Sequence, residues 1–239
     1  MTINILGVLT QLKSIQDQLQ LTGGKLHQVT WDGKDSLCTM VKDSNYECKL
    51  KGTDRGGNFA ENSFSIQVDT EPPVIKTIIP ADGTITNSPI STITVDLDDK
   101  GGAEIDYDET LTNIQLFDPQ RQEVFGDLSI DKVQKRLTFP LSKKLETTAQ
   151  NGPYTIVVHA EDEAGNSAKE KRATFIFDTQ KPTISSVKAG EVELKVGELP
   201  STALGKSATI NIQVKDEGGS GIDFLTPNIT LKGPSNQII

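Results

Sequence analysis

The sequence is poor in the residues that build most catalytic and redox sites. It has two histidines, two cysteines and one tryptophan in 239 residues. Two cysteines without a histidine cluster fall short of four zinc ligands. A catalytic thiol needs an activating histidine, and nothing places His27 or His159 beside one. Aromatics are 5 % of the chain, so a core must be mainly aliphatic. Lys and Arg number 24 against 33 Asp and Glu, a net charge of −9. That argues against nucleic acid or an anionic membrane as partner, since both call for basic patches. It is compatible with cation binding or with plain solubility. No apolar run is long enough to span a membrane. The N-terminal MTINILGVLTQLK has neither a basic leader nor a small-residue cleavage site, so no signal peptide is visible. No Ser/His/Asp order, phosphate-cradling glycine loop or metal triad is present. Adjacent acids such as Glu161 and Asp162 point to opposite faces of a strand. The chain reads as non-enzymatic.

What is abundant is turn chemistry between short alternating runs. Gly, Pro, Thr, Ser and Asp punctuate the chain, which favours an all-β sandwich. The stretch Tyr154 to Ile184 shows the pattern best. Tyr154, Ile156, Val158 and Ala160 alternate with polar positions, as in a half-buried strand. Asp162 to Asn166 is a turn; Ala173, Phe175 and Phe177 form the return strand. Asp178-Thr179 then leads to Pro182, which cannot donate to a ladder.

The same pattern occurs 108 positions earlier, from Tyr46 to Ile75. Tyr46, Asp54, Gly57, Asn58 and Ala60 match Tyr154, Asp162, Gly165, Asn166 and Ala168. Asp69, Thr70, Pro73 and Ile75 match Asp178, Thr179, Pro182 and Ile184 one position later, so the return strand of the second copy has gained a residue. Downstream, Ile93, Val95, Leu97, Asp99, Gly101 and Asp106 match Ile210, Ile212, Val214, Asp216, Gly218 and Asp223. An ordered series of matches with small gaps is a repeat.

The set A-x-D-x-A-G-N, then D-T-x-x-P, then a strand followed by D-x-x-x-S-G-I-D resembles the bacterial immunoglobulin-like repeats of large surface proteins and adhesins. The resemblance covers most of the chain from Tyr46 onward. It implies tandem immunoglobulin-like β-sandwich repeats, one complete and two partial. Residues 1–69 would be the C-terminal part of one repeat, 70–178 a complete repeat and 179–239 the N-terminal part of a third. It also implies export to the bacterial cell surface, and chain ends that are fragment boundaries.

In the complete repeat, strands are expected at Val74–Ile79, Ser91–Asp98, Asn113–Phe117, Arg136–Leu141, Tyr154–Ala160 and Ala168–Asp178, with another near Glu123–Ile130. In the leading segment, Ile3 and Ile5 stand for Ile114 and Leu116. Leu9, Leu12, Ile15 and Leu19 are spaced for a short amphipathic helix within Val8 to Leu21, and Lys25 to Trp31 reads as a strand. Cys48 falls at the inward position held by Ile156. If the protein is exported, Cys38 and Cys48 form a local disulfide; otherwise they are ordinary thiols.

Threading the complete repeat as a sandwich brings Asp69, Asp99, Asp106, Asp162 and Asn166 to one pole, at the junction with the preceding repeat. Asp178, Asp216 and Asp223 form the matching set at the next junction. Oxygen ligands brought together from separate loops are what Ca²⁺ uses, about 6–8 of them. The competing reading is turn chemistry, in which Asp and Asn bond their own backbone, and it ranks first, because no dense D-x-D-x-D-G loop is present.

The functional expectation is a structural or adhesive module, a stalk or spacer. Its partners would be neighbouring repeats and a host or matrix surface ligand, with calcium stiffening the junctions. The alternative is an accessory spacer or carbohydrate-binding module of a secreted hydrolase. That would need an aromatic platform from Tyr107, Phe117, Phe125, Phe139, Tyr154, Phe175 and Phe177.

Overall fold

A computed structural model describes residues 2–6, 11–16, 30–194, 209–225, 229–230 and 232, the first two segments by backbone path and pairing. Four strands come first: β1 (Thr2–Leu6), β2 (Gln11–Gln16), β3 (Ser44–Thr53) and β4 (Phe59–Val68). They form one antiparallel sheet in the order β2-β1-β3-β4. Residues 11–16 are therefore strand and not the expected helix. Leu12 and Ile15 fit a helical spacing, but pairing with β1 supplies a full ladder, and that pairing decides the conformation. The rest of the helix expectation, and residues 25–29 of the expected Lys25–Trp31 strand, lie outside the described residues. Residues 30 and 31 are not strand.

The central segment carries β5 (Val74–Ile79), β6 (Ile85–Thr86), β7 (Ile90–Asp98), β8 (Ile105–Asp106), β9 (Asn113–Phe117), β10 (Glu123–Val124), β11 (Ser129–Asp131), β12 (Arg136–Leu145), β13 (Gly152–His159), β14 (Glu161–Asp162) and β15 (Lys171–Phe177). One sheet runs β10-β9-β13-β15-β6 and the other β11-β12-β7-β5, with β14-β8 as a small ribbon at one pole. A single 3₁₀ turn at Thr148–Gln150 follows β12. The region near Glu123–Ile130 is two short strands, one in each sheet, which is why it read poorly as one.

The alternating residues meet between the two sheets. Ile93, Val95 and Leu97 of β7 and Leu137 and Phe139 of β12 pack with Leu116 of β9, Ile156 and Val158 of β13, and Phe175 and Phe177 of β15 in one buried cluster. Tyr154 stacks on Phe175, centroids 5.2 Å apart. Of the seven aromatics that a carbohydrate platform would draw on, Phe139, Tyr154, Phe175 and Phe177 are core, and Phe125 alone is fully exposed.

The chain ends, among the described residues, with β16 (Thr183–Ala189), β17 (Val192–Glu193) and β18 (Ile210–Lys215) in the order β17-β16-β18. β16 pairs with β18 as β5 pairs with β7, Ile184 opposite Val214 matching Ile75 opposite Leu97.

The correspondences hold at the level of single bonds. Ile5 lies opposite Cys48 and Ile3 opposite Leu50, as Leu116 lies opposite Ile156 and Ile114 opposite Val158. The Tyr46 hydroxyl donates to Lys42 O at 2.6 Å and the Tyr154 hydroxyl to Gln150 O at 2.8 Å. This is the upward-reaching tyrosine of sandwich folds. The extra residue of the second copy falls after Ala168. There the ladder breaks, while β3 and β4 pair without interruption.

Cys48 is buried at its expected inward place, but the Cys38–Cys48 disulfide is not formed and both thiols are free. Cys38 sits exposed in the turn opened by Asp35, its φ at +62° and its N–H donated to Asp35 O, away from the core that Cys48 faces.

Candidate functional site

The pole begins with the Asp162 turn. Its Oδ1 accepts the N–H of Ala164 at 2.9 Å and of Asn166 at 2.8 Å, and Oδ2 accepts Asn166 Nδ2 at 2.9 Å. Gly165 takes φ +85°, which the turn requires. Asp54 and Asn58 make the same bonds in the preceding copy, at 2.8 and 2.9 Å. The Asp162 and Asp54 side chains thus satisfy donors of their own turns, the local bonding that turn chemistry describes.

Asp69, the linker residue, is 8 % exposed. Its Oδ1 accepts Glu71 N–H at 2.9 Å and its Oδ2 accepts Ala103 N–H at 2.6 Å. Its own carbonyl accepts Asn166 Nδ2 at 3.1 Å, which ties linker to turn. The loop after β7 approaches this carboxylate so closely that only a glycine fits at position 101.

Asp99 completes the pole. One carboxylate oxygen each from Asp69, Asp99 and Asp162 lies within 4.8 Å of the other two. Asp99 Oδ1 accepts Gly101 N–H at 2.9 Å, whereas Oδ2 is buried and has no hydrogen-bond partner. Burial pushes the Asp99 carboxyl above the usual range; the Gly101 N–H opposes this, and the charges of Asp69 and Asp162 add to the rise. Lys135 Nζ is nearby but bonds the Asp99 carbonyl, at 3.4 Å, and lies 3.9 Å from Asp98. A buried acceptor with no donor and two like charges beside it is a costly arrangement that a cation would relieve.

Asp106 is at the pole by its backbone only. It pairs with Glu161, but its carboxylate caps Asp108 N–H at 2.9 Å and does not join the three acids. The sandwich threading placed the strand end correctly; the side chain turned outward to cap its own loop.

The second junction repeats the linker geometry. Asp178, 6 % exposed, accepts Gln180 N–H at 2.8 Å and Ser220 N–H at 3.0 Å, and position 218 is again a glycine packed against the carboxylate. Asp216 Oδ2 accepts Gly221 N–H at 2.7 Å, and Asp223 caps Leu225 N–H at 2.8 Å. The threonines beside the two linker acids face back. Thr70 donates to Asp43 at 3.0 Å and Thr179 to Asn151 Oδ1 at 3.1 Å. Each Asp-Thr linker therefore holds the following unit through Asp and the preceding unit through Thr. Sequence reading missed Asp43 and Asn151, although they stand 108 positions apart and that offset could have found them.

Among the described residues no helix is long and apolar enough to cross a membrane. A comparison with curated proteins finds no match. Similar solved structures include CopC from Methylosinus trichosporium OB3b, at 13 % identity and TM-score 0.36, covering 44 % of this chain and 93 % of that one. The fibronectin(III)-like modules of CbhA from Clostridium thermocellum are similar at 12 % identity and TM-score 0.31, over 74 % of this chain and 77 % of that one. The amphioxus IgVJ-C2 molecule is similar at 13 % identity and TM-score 0.27, over 74 % and 87 %. Residues 69–179 match the family model described as a bacterial Ig-like domain.

Proposed function

We propose that the chain is a non-enzymatic stalk or spacer segment of an exported bacterial surface protein, holding an adhesive tip toward a host or matrix surface. The observation that carries this reading is the doubled Asp-Thr linker, which bonds forward and backward at both junctions. Such linkers set the orientation of neighbouring units, which suits a spacer. Calcium is the cation that fits the pole. The donors are hard carboxylate oxygens from three separate segments, and Asp99 Oδ2 is a buried oxygen in want of a partner. Bound there, the ion would neutralise the three acids and fasten the linker to two loops of the sandwich.

The test is a thermal melt in roughly 2 mM calcium, near the weaker affinities of extracellular modules, against the same melt in chelator. Binding to the folded state alone raises the midpoint by mass action. A rise supports the calcium junction. Coincident melts return Asp69, Asp99 and Asp162 to turn chemistry alone.

A further inference from the structure

A stalk works under tension, and the following inference rests on that reading. The domain is entered at Asp69, beside Asp99 and Asp162, and left at Asp178, beside Asn151 at the opposite pole. Tension therefore draws the two ends of the domain apart along its strands.

The first strand to feel the N-terminal pull is β5, which must slide along β7 to move. Its continuation, residues 82–86, crosses to the other sheet and lies against the last strand. There β6 pairs with β15 in parallel, Ile85 opposite Ile176 and Thr86 opposite Phe177. Four bonds fasten this crossing. Thr174 N–H donates to Asp82 Oδ1 at 2.8 Å and Gly83 N–H to Thr174 O at 2.8 Å. Ile176 N–H donates to Thr84 O at 2.8 Å and Asp178 N–H to Thr86 O at 2.9 Å.

The direction of the pairing matters. Both strands run from the Asp69 pole toward the Asp178 pole. Pulling the N-terminal end draws β6 back to the first pole, and pulling the C-terminal end draws β15 on to the second. The strands are asked to slide past one another, so the four bonds take the load together. In an antiparallel hairpin pulled at its open end, the bonds break one after another. The load also arrives at the right residue. Asp178 supplies the last N–H of the set, and its carboxylate holds Ser220 of the following segment.

We propose that the β6–β15 pairing is a shear clamp that makes residues 69–179 a force-bearing unit. Forced unfolding reports the barrier and not the equilibrium stability, so the clamp can be tested apart from the core. The experiment is single-molecule pulling of the full chain between terminal handles, in chelator so that no cation contributes. The highest-force event should release the central domain, at about 3.5 Å per residue freed. Thr86→Pro leaves the four flanking bonds their acceptors but takes away the Thr86 N–H inside the parallel β6–β15 ladder, which breaks the pairing between them. It should lose much of that force while the thermal melt stays cooperative. Thr86→Val keeps the N–H and should keep the force. Should Thr86→Pro fail to fold, Asp82→Ala removes one clamp bond at an exposed side chain and should lower the force as well. An unfolding force unchanged by these changes, or a highest-force event too short for the domain, overturns the clamp. The stalk reading fails on a different result, surface labelling of producing cells that finds the protein only inside, which leaves the pulling data untouched.

Discussion

The Asp69 carboxylate occupies the space that a side chain on residue 101 would need; a Cβ on Gly101 would come within 2.6 Å of Asp69 Cγ. The relation joins the linker to the loop after β7, and it recurs at Asp178 and Gly218. Gly101→Ala should force Asp69 out and break its bonds to Glu71 and Ala103. Each buried group left without a partner costs about 1–3 kcal/mol. A drop in the melting midpoint of several degrees is expected, about 4–8 °C per kcal/mol in a domain of this size. An unchanged midpoint would mean that the linker is not seated on this loop.

Asp99 separates the two readings of the pole. Asp99→Asn removes one of three neighbouring charges and places an amide at the unpartnered oxygen. In chelator the variant should melt no lower than the parent, and above it if repulsion dominates. In calcium it should lose whatever gain the parent shows. A calcium gain that survives the substitution would move the cation elsewhere.

The pH dependence has two opposed parts. The Arg136 hydrogen bond, then that of Thr77, holds the Asp96 carboxyl below the usual range, despite some opposing burial. That stabilisation is present above the unfolded value of about 3.9 and is lost as pH falls through the depressed one. Asp99 is raised, chiefly by burial. Between the unfolded value and its raised one the folded protein binds more protons, so stability falls as pH rises through that window. Titration followed by carboxyl-carbon NMR should find Asp96 low and Asp99 high in chelator. Calcium should abolish the upward displacement of Asp99 alone.

Equivalent positions carry unequal burial. Ile93 is 0 % exposed and its counterpart Ile210 is 45 % exposed. Ile93→Ala should cost about 2–5 kcal/mol as a core truncation, whereas Ile210→Ala should stay within roughly 1 kcal/mol. Denaturant melts of the two variants provide the comparison. Similar losses would show that Ile210 is covered in solution.

Alternation made most of the sandwich legible. Asn113–Phe117 was readable because inward Ile114 and Leu116 alternate with Asn113 and Gln115. Val74–Ile79 was readable as an apolar run, although a register shift leaves only Ile75 and Ile78 inward and exposes Val74 and Ile79. β12 runs on to Leu145 through Ser142-Lys143-Lys144, where polar residues on both faces hide a strand. At the pole, topology alone brought Asp69, Asp99 and Asp162 together, since strand ends fix where side chains begin. It could not tell that Asp106 would turn to its own loop, because rotamer and local capping decide that. Gly101 was visible only as a matched letter; its reason is the carboxylate beside it. For Cys38 and Cys48, spacing says nothing of the direction each Cβ takes, and the turn at Asp35 sends Cys38 outward.

Asn166 gives the pole a side-chain amide donor, its Nδ2 shared between the Asp69 carbonyl and the Asp162 carboxylate. It precedes Ser167, a small neighbour that leaves its side-chain amide open to slow hydrolysis. Conversion to aspartate would exchange a donor for an acceptor and put a fourth negative charge among the three. The bond that ties turn to linker would become a repulsion, and the junction would loosen with chemical age.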